Sequence, residues 1–400
     1  MFNINIQYMD YDSGYETTMT AIKCMINQQE IDEIPLSILP VVDKIYEKIK
    51  EGNSFSKTVV NKDTIKLLYK EEMNYPKHSK YMAKEIYDDI IQNMIYQASF
   101  GIVLHRRTFT IKIGIMNNNP ISMEELVNSI RRMVSWLYVA NHYSDIEFCK
   151  KLDISLYFTK HKKQFPNSEG VQLDYSNINS GMSTWYNNST SSIIIFRYEE
   201  WFKVFVHECG HSYGIESDVV HESELVKFVK KIVFINIDSR IGEAYVETWA
   251  RLIVSFYSAI EHSSDYEEFI ILLRFNMKVE SIFSAIQAYQ ILKFMKVPYR
   301  AVIYPLDKRS ILYKETTNIF AYYIMCGSFL QDPCGFIEWC HNNNPLLMAM
   351  NCQDVTLKNY EAYIKERLYN PKFKDMIDTF VSIDIQQTGL RFTITEFLKN

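Results

Sequence analysis

The spacing of apolar positions divides this chain into a strand-containing first half and a helical second half. Ser99–His105 and Phe109–Ile115 alternate apolar and polar residues, which predicts a hairpin across Arg106-Arg107. Ser122-Met123-Glu124-Glu125 has the form of a capping box, and the helical period that follows runs to Tyr143. Leu152–Phe158 alternates like a strand, and Ser191–Arg197 is short, apolar and β-branched, as a buried strand is. Ahead of it, Ile178–Trp185 is polar and extended, with a turn at Tyr186–Ser189. Such a polar strand reads equally as a solvated hairpin arm or as an edge strand offering its backbone to a peptide. Residues 1–98 hold helical stretches such as Ser79–Tyr96 and no chemical motif. From Arg240 onward the period is helical, through Tyr266–Met295, Thr316–Phe329 and Val355–Tyr369. This order predicts an α+β fold in three parts. An N-terminal α/β lobe spans 1–98, a sheet-containing half spans 99–215, and a mainly helical half spans 216–400.

One helix carries chemistry. Glu199-Glu200-Trp201-Phe202-Lys203-Val204-Phe205-Val206 runs without proline or glycine into His207-Glu208-Cys209-Gly210-His211. Glu199 and Glu200 suit the positive end of a helix dipole, Trp201, Val204 and Phe205 make a buried stripe, and Gly214 is a natural stop. His207 and His211 stand one turn apart on the same face, where they can take two corners of a tetrahedral zinc site, with Glu208 beside them to handle protons. With nine histidines in 400 residues, H-E-x-x-H arises by chance in about one such chain in a hundred. Gly210 costs about 1 kcal/mol inside a helix, so a close approach of another element is expected there. Cys209 points away from the ligand face.

Two histidines need a third protein ligand. Glu243, 32 positions after His211, opens a long apolar-periodic helix and is the expected ligand. Glu247, one turn further on the same face, is expected to orient a histidine through its free ring nitrogen. The bland reading makes both solvated helix-face charges. His207–Gly214 also reads H-E-x-x-H-x-x-G, the opening of the metzincin pattern. That pattern places its third ligand at Ser217, a poor one, with Asp218 and His221 following as weaker alternatives.

H-E-x-x-H followed by Glu243-Ala244-Tyr245-Val246-Glu247 resembles the gluzincin branch of zinc metallopeptidases. Together with Asn179-Ser180-Gly181, Ile195-Phe196-Arg197, Glu199–Val204 and Trp249-Ala250, it resembles metallopeptidases of large DNA viruses, over roughly residues 150–260. The resemblance implies a zincin-like fold, with a small mixed sheet and the motif helix in the first half. It also implies a Zn2+ cofactor held by His207, His211 and Glu243, with Glu208 as general base, and hydrolysis of peptide bonds in a polypeptide substrate. Such sites also use a tyrosine or histidine on the oxyanion, and Tyr213, Tyr245, His221 and His262 are the candidates by proximity in sequence.

Composition narrows the partners. A net charge of −5 and an isoelectric point near 6.0 give no general pull toward nucleic acid or anionic membranes. Lys160-His161-Lys162-Lys163 reads as a short solvated turn. No apolar run reaches membrane-spanning length, and Asn3, Asn5, Asp10 and Asp12 interrupt any signal-like start, so a soluble cytoplasmic protein is expected, in the host cytoplasm or a virion if the viral resemblance holds. Seven cysteines without a C-x-x-C pair argue for free thiols. Cys326, Cys334, Cys340, His341 and Cys352 match no common zinc module. Two rivals to the peptidase stand: a zincin-fold protein that binds a partner or builds a virion without cutting, and an accidental motif in a helical structural protein.

Overall fold

The computed structural model describes residues 15–28, 30–167, 172–187, 189–216, 218–305, 308–383, 385 and 389–397. Ser217, Asn188 and the N-terminal Asn3, Asn5, Asp10 and Asp12 lie outside them. In chain order the strands are β1 (Lys66–Leu68), β2 (Met94–Leu104), β3 (Arg107–Met116), β4 (Lys151–Tyr157), β5 (Gly181–Asn187) and β6 (Thr190–Ile195). They form one mixed sheet in the order β1-β2-β3-β4-β6-β5. The β2–β3 hairpin pairs Leu104 with Arg107. Its two turn residues, His105 and Arg106, both have positive φ (45° and 67°), the twist that suits a two-residue hairpin. β2 begins before residue 99 and pairs with β1, so the sheet takes in residues assigned from sequence to the N-terminal lobe. Strands β3, β4 and β6 are parallel. β5 runs antiparallel to β6 and forms the edge.

The helices are α1 (Glu16–Gln28), α2 (Leu39–Val59), α3 (Lys84–Asn93), α4 (Met123–Ala140), α5 (Tyr175–Ile178), α6 (Trp201–Ser212), α7 (Val219–Ile232), α8 (Gly242–His262), α9 (Tyr266–Phe294), α10 (Tyr299–Ile303), α11 (Cys326–Phe329), α12 (Pro333–Asn343), α13 (Asp354–Leu368) and α14 (Pro371–Ser382). α4 is the crossover between β3 and β4, and it starts as its sequence predicts: Ser122 and Glu125 cap each other's backbone N–H groups. The expected helix Ser79–Tyr96 is shorter, because the chain turns into β2 at Met94.

One core runs through both halves. Leu152, Ile154 and Leu156 of β4 and Ile193 and Ile195 of β6 share it with α4, α6, α8 and α9. The intervening positions point to a smaller cluster under α3, where Ile86 and Ile90 meet Tyr157 and Phe196. α8 is buried from Gly242 to Ala259. The N-terminal helices pack on both halves, α1 against α9 and α2 against α4 and α8. Among the described residues no helix is long and apolar enough to cross a membrane.

Candidate metal centre

The site lies where α6 crosses α8. On α6, Lys203, His207 and His211 form a ladder at intervals of one turn; on α8, Glu243, Glu247 and Arg251 form a second ladder facing it. Gly210 lets the helices approach: a Cβ placed there would lie 2.5 Å from Cγ1 of Val246. α8 lacks a side-chain cap of its own, and the carboxylate of Glu222 on α7 accepts the N–H groups of Ile241 and Gly242 instead. That brace fixes the turn that carries Glu243.

His207, His211 and Glu243 come together as expected, all three buried. Nε2 of His207 lies 3.1 Å from Nε2 of His211, and Oε2 of Glu243 lies 3.3 and 3.2 Å from the two nitrogens. A tetrahedral ion with bonds of about 2.0–2.1 Å separates its ligands by about 3.3–3.4 Å, so the triangle fits one. The ring partners make the same point. Nδ1 of His211 sits 2.8 Å from Oε1 of Glu216. Nδ1 of His207 sits 3.0 Å from Oε2 of Glu247, close but poorly aligned for a hydrogen bond. With each Nδ1 facing a carboxylate, each neutral ring carries its proton there and presents a bare lone pair at Nε2. With both rings neutral, two lone pairs and a carboxylate oxygen converge on one point, an arrangement that suits a cation. These three residues could hold a metal ion.

The surroundings are ionic and enclosed. Oε1 of Glu243 is held by Asn318 Nδ2 at 3.1 Å and Arg240 Nη1 at 3.4 Å, which leaves Oε2 facing the histidines. Glu247 takes Lys203 Nζ at 2.8 and 2.9 Å and Arg251 Nε at 2.9 Å. Burial opposes its ionisation, but Lys203 and Arg251 outweigh that and hold its carboxyl well below the usual range. Burial likewise opposes charge on His211, but Glu216 and Glu243 raise it well above an ordinary imidazole. His207 moves up too, its desolvation overcome by Glu243 and Glu247.

Glu208 stands outside the triangle and faces the edge strand. A Cβ on Gly181 of β5 would come within 3.3 Å of Glu208 Oε1 and 2.8 Å of Val204 Cγ1, so only glycine lets the strand run this close. Burial pushes the Glu208 carboxyl up, partly offset by the two histidines.

No protein-family model, curated protein or solved structure matches the chain.

The candidates for an oxyanion group fall elsewhere. The Tyr245 hydroxyl donates to the carbonyl of Met348, and Tyr213 lies buried with its ring under Arg107. His262 Nδ1 bonds Ser258 O, one turn back on α8. Asp218 caps α7 through Oδ1 and pairs with His221 through Oδ2 at 2.8 Å; the two lie near Cys352 rather than at the centre. The tyrosine at the site is Tyr322, whose hydroxyl donates to Oε2 of Glu243 at 3.1 Å and whose ring meets His207 edge-on at 5.8 Å. It sits on a π-helical turn, Phe320–Met325, a deviation often found at functional sites.

One local reading of the sequence needs correction. Lys163 is no solvated turn residue: it is fully buried, its Nζ 2.7 Å from Glu200 Oε2, and burial lowers its pKa to about 8. Glu200 stands at the N-terminal end of α6, as expected, and its side chain makes no cap bond there. It takes a left-handed conformation (φ 56°), and its other oxygen accepts the N–H groups of Phe392 and Thr393, both at 2.7 Å. Sequence reasoning also missed Glu216, Asn318, Tyr322 and Phe392. Lys203 and Arg251 were within reach, one turn before His207 and one turn after Glu247.

Proposed function

We propose that this chain is a zinc-dependent metallopeptidase with a zincin-like, gluzincin-type fold, in line with its resemblance to metallopeptidases of large DNA viruses. The observation that carries the reading is the triangle of His207 Nε2, His211 Nε2 and Glu243 Oε2 beside a buried, pKa-raised Glu208. Two imidazoles, one carboxylate and an adjacent glutamate make the donor set of a hydrolytic zinc site with an open fourth position. Bound there, Zn2+ supplies Lewis acidity toward a carbonyl oxygen and toward water.

The rest falls to the protein. Glu208 takes a proton from the attacking water and passes it to the leaving amine, a task suited to a carboxyl raised toward neutrality. Tyr322, not one of the tyrosines near the motif, offers its hydroxyl to the charge that develops on the substrate oxygen. Glu216 and Glu247 fix the two rings. β5 is the sheet edge nearest α6, and its outer backbone groups can pair with an extended polypeptide.

The test is metal content of the purified protein, followed by digestion of a peptide library with and without chelator. Glu208→Gln should keep zinc and lose hydrolysis, whereas Glu243→Ala should lose zinc. A Glu208→Gln protein that still cuts would end the proposal. A second reading, a zincin-like protein that binds a partner without cutting, draws on the burial of all three candidate ligands. It predicts zinc uptake with no cleavage of any peptide.

A further inference from the structure

The C-terminal segment runs through the interior beside the candidate centre. Leu390 to Thr395 are all buried. Two carboxylates catch four consecutive backbone N–H groups: Glu200 those of Phe392 and Thr393, and Glu280 those of Ile394 and Thr395, at 2.8 and 2.9 Å. The hydroxyls of Thr393 and Thr395 also reach Glu280. Gln287 and Tyr323 hold the carbonyls of Arg391 and Leu390 at 2.6 and 2.7 Å. Glu396 then accepts the N–H of Lys203 at 2.9 Å, satisfying a first-turn donor of the motif helix.

This clamping fixes Phe392. Its ring lies 3.6 Å from Lys163 Nζ and 3.9 Å from Lys203 Nζ, and against the rings of Tyr322 and Tyr323 at 5.2 and 4.9 Å. It forms one wall of a partly open pocket of about 40 Å³ whose other walls include Gly181, Val204, His207 and Glu208. A pocket that shares walls with the base and a candidate ligand lies next to the bond to be cut. Its size decides what fits. A cavity of roughly 150 Å³ is enough for benzene, whereas a water needs roughly 10–15 Å³. This pocket therefore has depth to bury a methyl-sized group, and too little to bury a ring.

We infer that Phe392 is a specificity-determining residue: it admits only small side chains, such as those of glycine, alanine or serine, beside the scissile bond. This rests on the peptidase reading. Lys163 and Lys203 cannot relieve the restriction by swinging away, because Glu200 and Glu247 hold them.

The experiment uses the full-length, zinc-loaded chain as wild type, Phe392→Ala and Phe392→Leu, the last a milder truncation that keeps an apolar contact. Each is checked for zinc stoichiometry and folded circular dichroism. A peptide library reports the residue at each cut, and calorimetry compares acetohydroxamate with the bulkier phenylacetohydroxamate as metal-binding probes. Wild type should favour small over large residues by about tenfold or more. Phe392→Ala should accept large ones, with Phe392→Leu between, and bind the phenyl probe that wild type excludes. Cutting that ignores size, or a folded, zinc-replete Phe392→Ala with the wild-type preference, overturns the inference and leaves the peptidase standing. If nothing is cut but only the variants take the phenyl probe, the peptidase reading fails and the role of Phe392 in walling the pocket holds. Equal binding of both probes by wild type overturns it. A chain that takes up no zinc sinks both.

Discussion

Gly210→Ala should separate metal binding from folding more cleanly than any ligand substitution. The new methyl would lie 2.5 Å from Val246 Cγ1, with Cγ2 and Cβ of the same residue at 3.5 and 3.6 Å. Carbon atoms in contact prefer about 3.5–4.0 Å, so about 1 Å must be found. Val246 cannot turn aside cheaply, because a β-branched side chain in a helix has one strongly preferred rotamer. The helices must part instead. Overpacking of this kind costs about 1–3 kcal/mol, and replacing a helical glycine returns about 1 kcal/mol, so the net loss is about 0–2 kcal/mol. The fold tolerates that. The metal site does not: Gly210 sits just before His211, and Val246 between Glu243 and Glu247. Parting α6 from α8 stretches the 3.2 and 3.3 Å edges of the triangle well beyond the spacing a tetrahedral ion accepts. Zinc affinity should fall about 10- to 100-fold, the loss typical of disturbed support around a metal site. Competition with a chromophoric chelator measures it, and thermal unfolding measures the fold. Val246→Ala removes the obstructing methyls, so the double variant should regain much of the affinity. Wild-type zinc affinity in Gly210→Ala, or no recovery in the double variant, refutes the argument.

Three further outcomes are expected. Glu247→Gln leaves Lys203 and Arg251 buried without their anion and should cost about 3–5 kcal/mol in denaturant unfolding; an unchanged midpoint would show that the two cations find other partners. Tyr322→Phe keeps the ring and removes the donor to Glu243; zinc content should hold while kcat drops about 10²- to 10³-fold, and loss of zinc instead would make Tyr322 only a support for the ligand. Burial pushes the Cys149 thiol up to about 11 from an ordinary 9.0. The folded state thus keeps a proton that the unfolded chain releases, and stability should fall as pH rises from 9 through 11, by about 2–3 kcal/mol. Cys149→Ala should lessen that slope in thermal unfolding between pH 8 and 11 by this thiol's share, the other buried thiols such as Cys326 and Cys209 keeping theirs.

What was legible in the chain was what is local. The capping box at Ser122–Glu125, the hairpin turn at Arg106, the H-E-x-x-H turn and the one-turn pair Glu243/Glu247 all carry their signal within a few residues. Even the glycine inside the motif announced a close approach, and Val246 is what approaches. The missing parts come from far along the chain. Lys163 lies in a basic run that looks solvated because its partner, Glu200, is 37 residues away. Phe392 and Glu200 are 192 residues apart and meet through backbone N–H groups, which leave no trace in side-chain pattern. Tyr322 reaches Glu243 from 79 residues away, on a π-helical turn that apolar periodicity does not announce. The packing of α1 and α2 on both halves depends on tertiary contacts that periodicity cannot rank.

The two ladders explain why the ligands need so much buried charge around them. Before any ion arrives, Glu243 attracts the two imidazoles and favours their charged form. Once the rings are neutral, their lone pairs and the carboxylate, 3.1–3.3 Å apart, repel one another, and something must then hold the triangle together. Lys203 and Arg251 do so at one remove: they anchor Glu247, and Glu247 faces the ring of His207. Arg240 does the same on the other side, bridging Glu216 and Glu243 at 2.7 and 3.4 Å. Each cation is thus shared with a carboxylate that faces a ring nitrogen or completes the triangle. Buried ion pairs of this kind add little to stability over apolar packing. Their use here is geometric: they keep three mutually repelling donors at the spacing one cation requires.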